Sequence, residues 1–238
     1  MTTYWLEHTV DVGEINFLKQ IKLSALLNLF QLAAAANSKQ LGQGVVLLST
    51  LDCGWVLSRV RMQLQRLPML DENIKIETWA ISPKNIEYER EFRIYDENGE
   101  ILLCASTRWC IMNIKQKRIL RTSEAPYISI PLRNDRAIIT PLSRLKYIGE
   151  WQNCYNLPIR LSSVDLNKHM NNTKYADCII DSFSLSQLSN LNIKVFQLDY
   201  IGQVYFGDTL SIFRSNDGDY FKGEVNGEMK FLAQCLTT

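Results

Sequence analysis

The chain has 238 residues, 46% of them hydrophobic and 21% charged, with a formal net charge of +1. That balance belongs to a folded globular protein long enough for one large domain or two small ones, and a charge so near zero excludes attachment to nucleic acid or to an anionic membrane by bulk attraction. No apolar run reaches the roughly 18 residues needed to cross a bilayer, and Met1–Glu7 has neither a basic start nor an apolar core, so a cytoplasmic location without membrane contact is expected.

In chain order, residues 4–12 read as a strand. Leu23, Leu26, Leu27, Phe30, Ala33, Ala34, Asn37 and Leu41 share one side of a predicted helix over Ser24–Leu41, with Ser24 as its N-cap and Gly42 and Gly44 at its end. The run Ala33–Ala36 makes that helix thin, so a sheet can wrap it closely. Strand-like alternation follows in Gly54–Leu67, Asn73–Ile81, Ile86–Tyr95 and Glu100–Met112, with a hairpin turn at Asn98-Gly99. One helix followed by long antiparallel strands is an α+β pattern.

Residues 113–148 carry Pro126, Pro131 and Pro141, and eight lysines and arginines against Glu124 and Asp135. This basic linker is either a solvated face or a docking surface for an acidic partner. The second half then repeats the first: a strand around Trp151–Leu161, a helix at about 172–188, and strands near 193–204, 209–214, 220–225 and 229–236, with turns at Asp217-Gly218 and Asn226-Gly227. Met62–Ile76 parallels Leu198–Ile212 at a spacing of 136 residues, a repeat of pattern more than of identity.

The six cysteines form no C-x-x-C pair and there are two histidines, so a zinc site is not indicated and buried thiols are the simplest reading. The chemistry-bearing stretch is Val164–Tyr175. Asp165, Asn167 and His169 alternate, and would share a face in an extended segment. From Tyr175 onward Cys178, Ile179, Ser182 and Phe183 follow helical spacing, with Asn171 or Asn172 as N-cap. A helix N-terminus can polarise a carbonyl, and beside it stand a base or nucleophile (Asp165), a positioning amide (Asn167) and a group that titrates near neutrality (His169). The plainer alternative is a polar turn capping a helix. Cys178, two turns into an apolar face, reads as core.

Asp165-x-Asn167-x-His169-Met170-Asn171-Asn172-x-x-Tyr175 resembles the signature of the acyl-acyl-carrier-protein thioesterase family, and also the shorter motif of single-hotdog acyl-CoA thioesterases. The longer family is favoured by further likenesses in Leu23–Asn28 with Gln31, Gly54–Arg59, Ile76–Trp79 and Ser106–Trp109. The resemblance implies a tandem double hotdog: an N-terminal hotdog over 1–113 holding the acyl chain, a linker over 114–148, and a catalytic hotdog over 149–238. It implies hydrolysis of fatty acyl thioesters of acyl carrier protein, with Asp165, Asn167 and His169 catalytic, Asn171 and Asn172 presenting N–H groups to substrate, and no metal or organic cofactor. Acyl-CoA hydrolysis and non-hydrolysing acyl-thioester binding are the alternatives, and a homodimer stays open. Val12–Phe17 lacks the Asp-x-Asn-x-His pattern, so one active site per chain is expected. Where the family carries Leu-Glu-Tyr-x-x-Glu, this chain reads Leu198-Asp199-Tyr200-Ile201-Gly202-Gln203. Gln203 cannot accept a proton at neutral pH, so either the enzyme is impaired or the base is elsewhere; the likeness to the shorter hotdog enzymes, which manage with their aspartate and no second glutamate, implies Asp165 as base and Gln203 in a supporting role. Asp199 is a further candidate, or simply an outward-facing strand residue. Ala33–Ala36 and the Val56–Leu64 strand are the places where chain length would be set.

Overall fold

Apolar residues at helical spacing form α1 (Leu23–Gln40), and alternation forms the strands around it: β1 (Thr3–Thr9), β2 (Cys53–Leu64), β3 (Asn73–Ala80), β4 (Tyr88–Tyr95), β5 (Ile101–Asn113) and the short β6 (Arg118–Ile119), with a small helix α2 (Val45–Thr50) before β2. The second half has β7 (Trp151–Pro158), α3 (Lys174–Ile180), α4 (Leu185–Ser189), β8 (Ile193–Tyr200), β9 (Thr209–Ser215), β10 (Tyr220–Val225) and β11 (Glu228–Thr237). The structure is a computed structural model and describes residues 2–42, 45–126 and 132–237, with the side chains of 45–47 excepted.

The described strands make one antiparallel sheet in the order β1-β3-β4-β5-β2-β8-β11-β10-β9-β7, with β6 on β5. Each half therefore contributes the same succession, and the two join where β2 pairs β8. That join is symmetric about Arg61↔Gln197, flanked by Arg59↔Asp199 and Gln63↔Val195. Residues 136 apart are thus equivalent across the join, as the sequence repeat indicates. This is the expected tandem hotdog, with each half of the sheet curled around its own helix.

One core runs through both halves. Leu26, Leu29, Phe30 and Ala33 of α1, and Tyr175, Ala176, Cys178 and Ile179 of α3, pack on Met62, Phe92, Phe196, Phe221 and Phe231. Phe92, Phe196, Phe221 and Phe231 are fully buried, each stabilising the fold by roughly 1.5–3 kcal/mol through apolar area removed from water.

Two helix expectations are corrected, and one helix is added. The helix foreseen over 172–188 is broken in two, because Ser184 and Gln187 form a reciprocal capping box that starts α4 afresh. Ser24 lies inside α1, whose N-cap is Lys22 without a side-chain cap bond; the Lys22 N–H instead donates to the Glu14 carbonyl. After Gly42, in the left-handed region at φ +72°, the chain forms α2 in a stretch to which the sequence reading assigned no element. Gly44 lies outside the described residues.

The outer face of the sheet is polar, and residues 132–146 cross it as a strap. Trp79 points outward yet is fully buried, because Arg133 stacks on its ring at 4.0 Å and its indole N–H donates to the Asp135 carbonyl at 2.9 Å. Arg133 also pairs with Glu77 at 2.5 Å and Arg136 with Glu89 at 2.5 Å. Lys115 and Arg118 pair with Asp52 and Glu124. Much of the linker's basic charge is therefore engaged with carboxylates of this chain, which removes it as free charge for an acidic partner.

Glu91 sits under the strap, fully buried. Its Oε2 accepts from Ser106 Oγ at 2.7 Å and from the Ala137 N–H at 2.9 Å, while among the described residues Oε1 has no hydrogen-bond donor and faces the Arg136 guanidinium at 3.7 Å. Burial pushes its pKa above the ordinary glutamate range. A carboxyl raised in this way holds its proton more tightly in the folded state, so its contribution to stability declines as pH rises from the ordinary glutamate pKa through the raised one. Glu91→Gln, with no charge to desolvate, is expected to gain on the wild type as pH rises above the ordinary glutamate range. Urea unfolding as pH is raised measures the gap, and a gap independent of pH would refute the account.

Candidate active site

Asp165, Asn167 and His169 lie in a tight turn, not in an extended segment. Val164 and Met170 face each other as an antiparallel bridge. The Asp165 N–H donates to the His169 carbonyl at 2.9 Å and the Lys168 N–H to the Asp165 carbonyl at 3.0 Å, with Lys168 at φ +65°. The aspartate itself favours this turn: Oδ1 accepts from the Asn167 N–H at 2.8 Å, the local bond that aspartate offers in place of extended pairing. The Asn167 side-chain amide lies 3.4 Å from Asp165 Oδ2. His169 Nδ1 stands 3.7 Å from Asp165 Oδ1, and these two side chains are 25% and 21% exposed. All three residues named from the sequence are together, but chain closure gathers them where strand alternation was expected to.

The turn runs into the tip of α3. Asn171 is spent on the fold, since its Oδ1 accepts from the N–H and from the hydroxyl of Thr173, both at 2.9 Å. The N–H groups of Asn171 and Lys174 donate to the carbonyls of Ser163 and Asn171. Among the described residues the Asn172 N–H has no acceptor. Asn172 is fixed from two sides: Gln31 of α1 donates to its Oδ1 at 2.9 Å, and the Tyr200 hydroxyl to its carbonyl at 2.9 Å.

Gln203 follows the end of β8 and is exposed. It meets the trio through Tyr205, whose hydroxyl donates to Gln203 Oε1. Tyr205 forms a backbone bridge with His169, and the two rings stand edge to face with centroids 6.4 Å apart. Sequence reasoning missed Tyr205, because an aromatic residue between two strands carries no signal until the pairing is known. Asp199 is excluded from the site: it is buried, accepts from the Leu145 N–H of the strap at 2.9 Å and pairs with Arg59 at 3.4 Å.

The first half repeats this turn without its chemistry. Asn16, Leu18 and Gln20 replace Asp165, Asn167 and His169; the Asn16 N–H donates to the Gln20 carbonyl at 2.8 Å, and Asn16 Oδ1 accepts from the Leu18 N–H at 2.9 Å. Beside it opens a groove of about 740 Å³ along the seam between the helices, lined by Asn16 and Phe17, the start of α1 from Leu23 to Asn28, and Thr173, Asp177 and Ile180 across from them. Ala33–Ala36 do not line it. Ala33 and Ala34 are buried in the core, so the expectation that this run shapes a pocket does not hold for the groove. Cys178 is also core: burial pushes its thiol up to about 12, which leaves no thiolate for nucleophilic attack near neutrality.

Residues 2–127 match the family model described as the acyl-ACP thioesterase N-terminal domain, and residues 149–233 that of its C-terminal domain. Among curated proteins, an oleoyl-acyl carrier protein thioesterase of Coriandrum sativum is 23% identical in an alignment that covers 91% of this chain and 63% of that protein. One from Arabidopsis thaliana is 22% identical in an alignment that covers 79% of this chain and 56% of that protein. The chain thus spans about three-fifths of the length of these relatives. The crystal structure of an acyl-ACP thioesterase from Bacteroides thetaiotaomicron superposes with a TM-score of 0.89 at 23% identity, covering 100% of this chain and 98% of that one. At that identity the likeness establishes the shared fold.

The burial of Cys178 and Cys235, each with its thiol pushed up to about 12, predicts that iodoacetamide at mildly alkaline pH leaves both unmodified in the folded protein while the exposed Cys154 is alkylated. Peptide mass spectrometry reads the outcome, and native-state labelling of Cys178 would contradict this burial.

Proposed function

The chain belongs to the acyl-ACP thioesterase family, and on that premise we propose that it hydrolyses fatty acyl thioesters of acyl carrier protein to free fatty acid and carrier thiol. The observation that carries this reading is the approach of Asp165 and His169 to 3.7 Å in one turn at the tip of α3. Asp165 takes a proton from a water molecule whose oxygen attacks the thioester carbonyl carbon, or attacks that carbon directly to form an acyl anhydride that water then cleaves to free acid and the carboxylate. Asn167, already bonded to both Asp165 oxygens, holds the carboxylate in register. The Asn172 N–H meets the developing oxyanion. When the carbon–sulfur bond breaks, His169 delivers a proton to the leaving thiolate. Gln203 supports the site by hydrogen bonding. Of the two N–H donors foreseen at the helix tip, that of Asn171 is committed to the Ser163 carbonyl, which narrows the backbone share of the oxyanion role to Asn172.

The acyl chain, on the same reading, lies in the N-terminal half (1–113), and 149–238 supplies the catalysis. The groove bears on this division: Thr173, next to Asn172 in the chain, lines it with Asn16, Leu23 and Asn28 of the first half and with Asp177, Leu188 and Ile193 of the second. Its volume is in the range of roughly 300–1,000 Å³ usual for small-molecule sites. The Gln203 amide favours one second reading, a protein that binds acyl thioesters without cleaving them.

The test is a ladder of acylated carrier proteins, and the same acyl groups on coenzyme A, with free acid and thiol measured. Turnover on carrier protein is expected to exceed that on coenzyme A, and tight binding without thiol release would favour the second reading. Asp165→Ala should lower kcat by roughly two to four orders of magnitude, and near-normal rates in that variant would remove Asp165 from the mechanism. Gln203→Glu tests where the base lies. With Asp165 as base the substitution brings no gain, whereas a rise in kcat of about tenfold or more would assign that role to position 203.

A further inference from the structure

We infer that Tyr205 is a positioning residue of this site: its hydroxyl fixes which end of the Gln203 amide faces the reacting thioester and ties that amide to the turn carrying His169. The inference rests on the hydrolytic reading above. A glutamine amide has two unlike ends, one accepting and one donating. With the Tyr205 hydroxyl donating to Oε1, the acceptor end is occupied and the Nε2 hydrogens are left as donors. Gln203 is then held in one orientation, as a donor suited to an oxygen that gains negative charge.

Tyr205 can do this because its own place is fixed. Its backbone bridges His169, its N–H donates to Asp208 Oδ2 at 2.7 Å, and the Asp208 N–H returns to the Tyr205 carbonyl at 3.1 Å. The neighbouring Val204 carbonyl accepts from the Met170 N–H at 2.7 Å, a second stitch between this segment and the His169–Met170 end of the catalytic turn.

The first half supplies an internal control. There the same backbone is kept: Gln20 bridges Met69, the Met69 N–H donates to Glu72 Oε2 at 2.9 Å, and the Ile21 N–H to the Pro68 carbonyl at 2.9 Å. At the positions of Gln203 and Tyr205, 136 residues earlier, stand Leu67 and Met69. Leu67 lines the groove. The fold needs neither polar side chain at these places, and the hydroxyl–amide pair occurs in the half that also carries Asp165, Asn167 and His169.

The experiment compares wild type, Tyr205→Phe, Gln203→Ala and the double variant on one acyl-carrier-protein substrate, with Asp165→Ala as control. Tyr205→Phe keeps the ring beside His169 and the backbone bridge, and deletes only the hydroxyl. It is expected to lower kcat roughly five- to tenfold with KM changed by less than about twofold. Adding Gln203→Ala to Tyr205→Phe should cost little more, since the hydroxyl acts through the amide. Unchanged kcat in Tyr205→Phe, or losses that multiply independently, would overturn the inference. The side-chain carbonyl carbon resonance of Gln203 gives a readout that does not depend on turnover: it should move in Tyr205→Phe and stay in place in Asp165→Ala, and an unmoved resonance in Tyr205→Phe overturns the pairing. Hydrolysis that survives Asp165→Ala would instead sink the catalytic reading of the trio, so the two failures are told apart.

Discussion

The antiparallel pairing of β2 with β8 is the contact on which the rest of the architecture depends. It turns two five-strand succession patterns into one sheet and, because its register is symmetric about Arg61↔Gln197, it sets the two helices side by side inside. Gln31 of α1 can then donate to Asn172 at the tip of α3. A slip of one residue at this seam would exchange inward and outward side chains along β8, exposing Phe196 and Leu198 and burying Gln197 and Asp199 against the helices. The inner apolar and outer polar rows of β2 and β8 thus specify both the fold and the placement of the helix tip.

The outer face follows from the same join. Edge-to-edge union leaves a broad sheet whose back carries Arg59, Glu77, Glu91, Gln197 and Asp199, all buried. Such groups are costly to bury unless paired, and the strap supplies the partners. The Leu142 carbonyl accepts from Arg59 at 2.9 Å, the Ser143 carbonyl from Gln197 at 2.7 Å, and the Leu145 N–H donates to Asp199 at 2.9 Å. The residues at the seam and those of the strap therefore depend on each other, and the polarity of the linker is a structural requirement of the double sheet.

Two copies of one turn, with the Asp, Asn and His side chains in one copy alone, separate what the backbone needs from what the proposed chemistry would need. Lys19 at φ +61° and Lys168 at φ +65° hold the same left-handed corner. Asn16 and Asp165 make the same bond to the N–H two residues on. Backbone closure accounts for those shared features. It does not account for His169, Asn167 or the Gln203–Tyr205 pair, which replace Gln20, Leu18, Leu67 and Met69.

By itself the sequence determined the α+β class, the repeat at 136 residues, the order of the strands along the chain, and Asp165, Asn167 and His169 as the candidate residues that the structure then gathers in one turn. These are matters of local spacing and side-chain chemistry, and local spacing is legible in one dimension. It also carried the likeness that placed the chain in its family. Tertiary structure decided the rest. The trio is gathered by a turn, because an Asx bond at Asp165 competes with extension. The long second helix breaks at Ser184, where a capping box begins another. Asp199 is removed from contention by the strap, and Tyr205 enters through its pairing with His169. Each depends on a partner distant in the chain or on a backbone bond competing locally, and neither is visible in a pattern of polar and apolar residues.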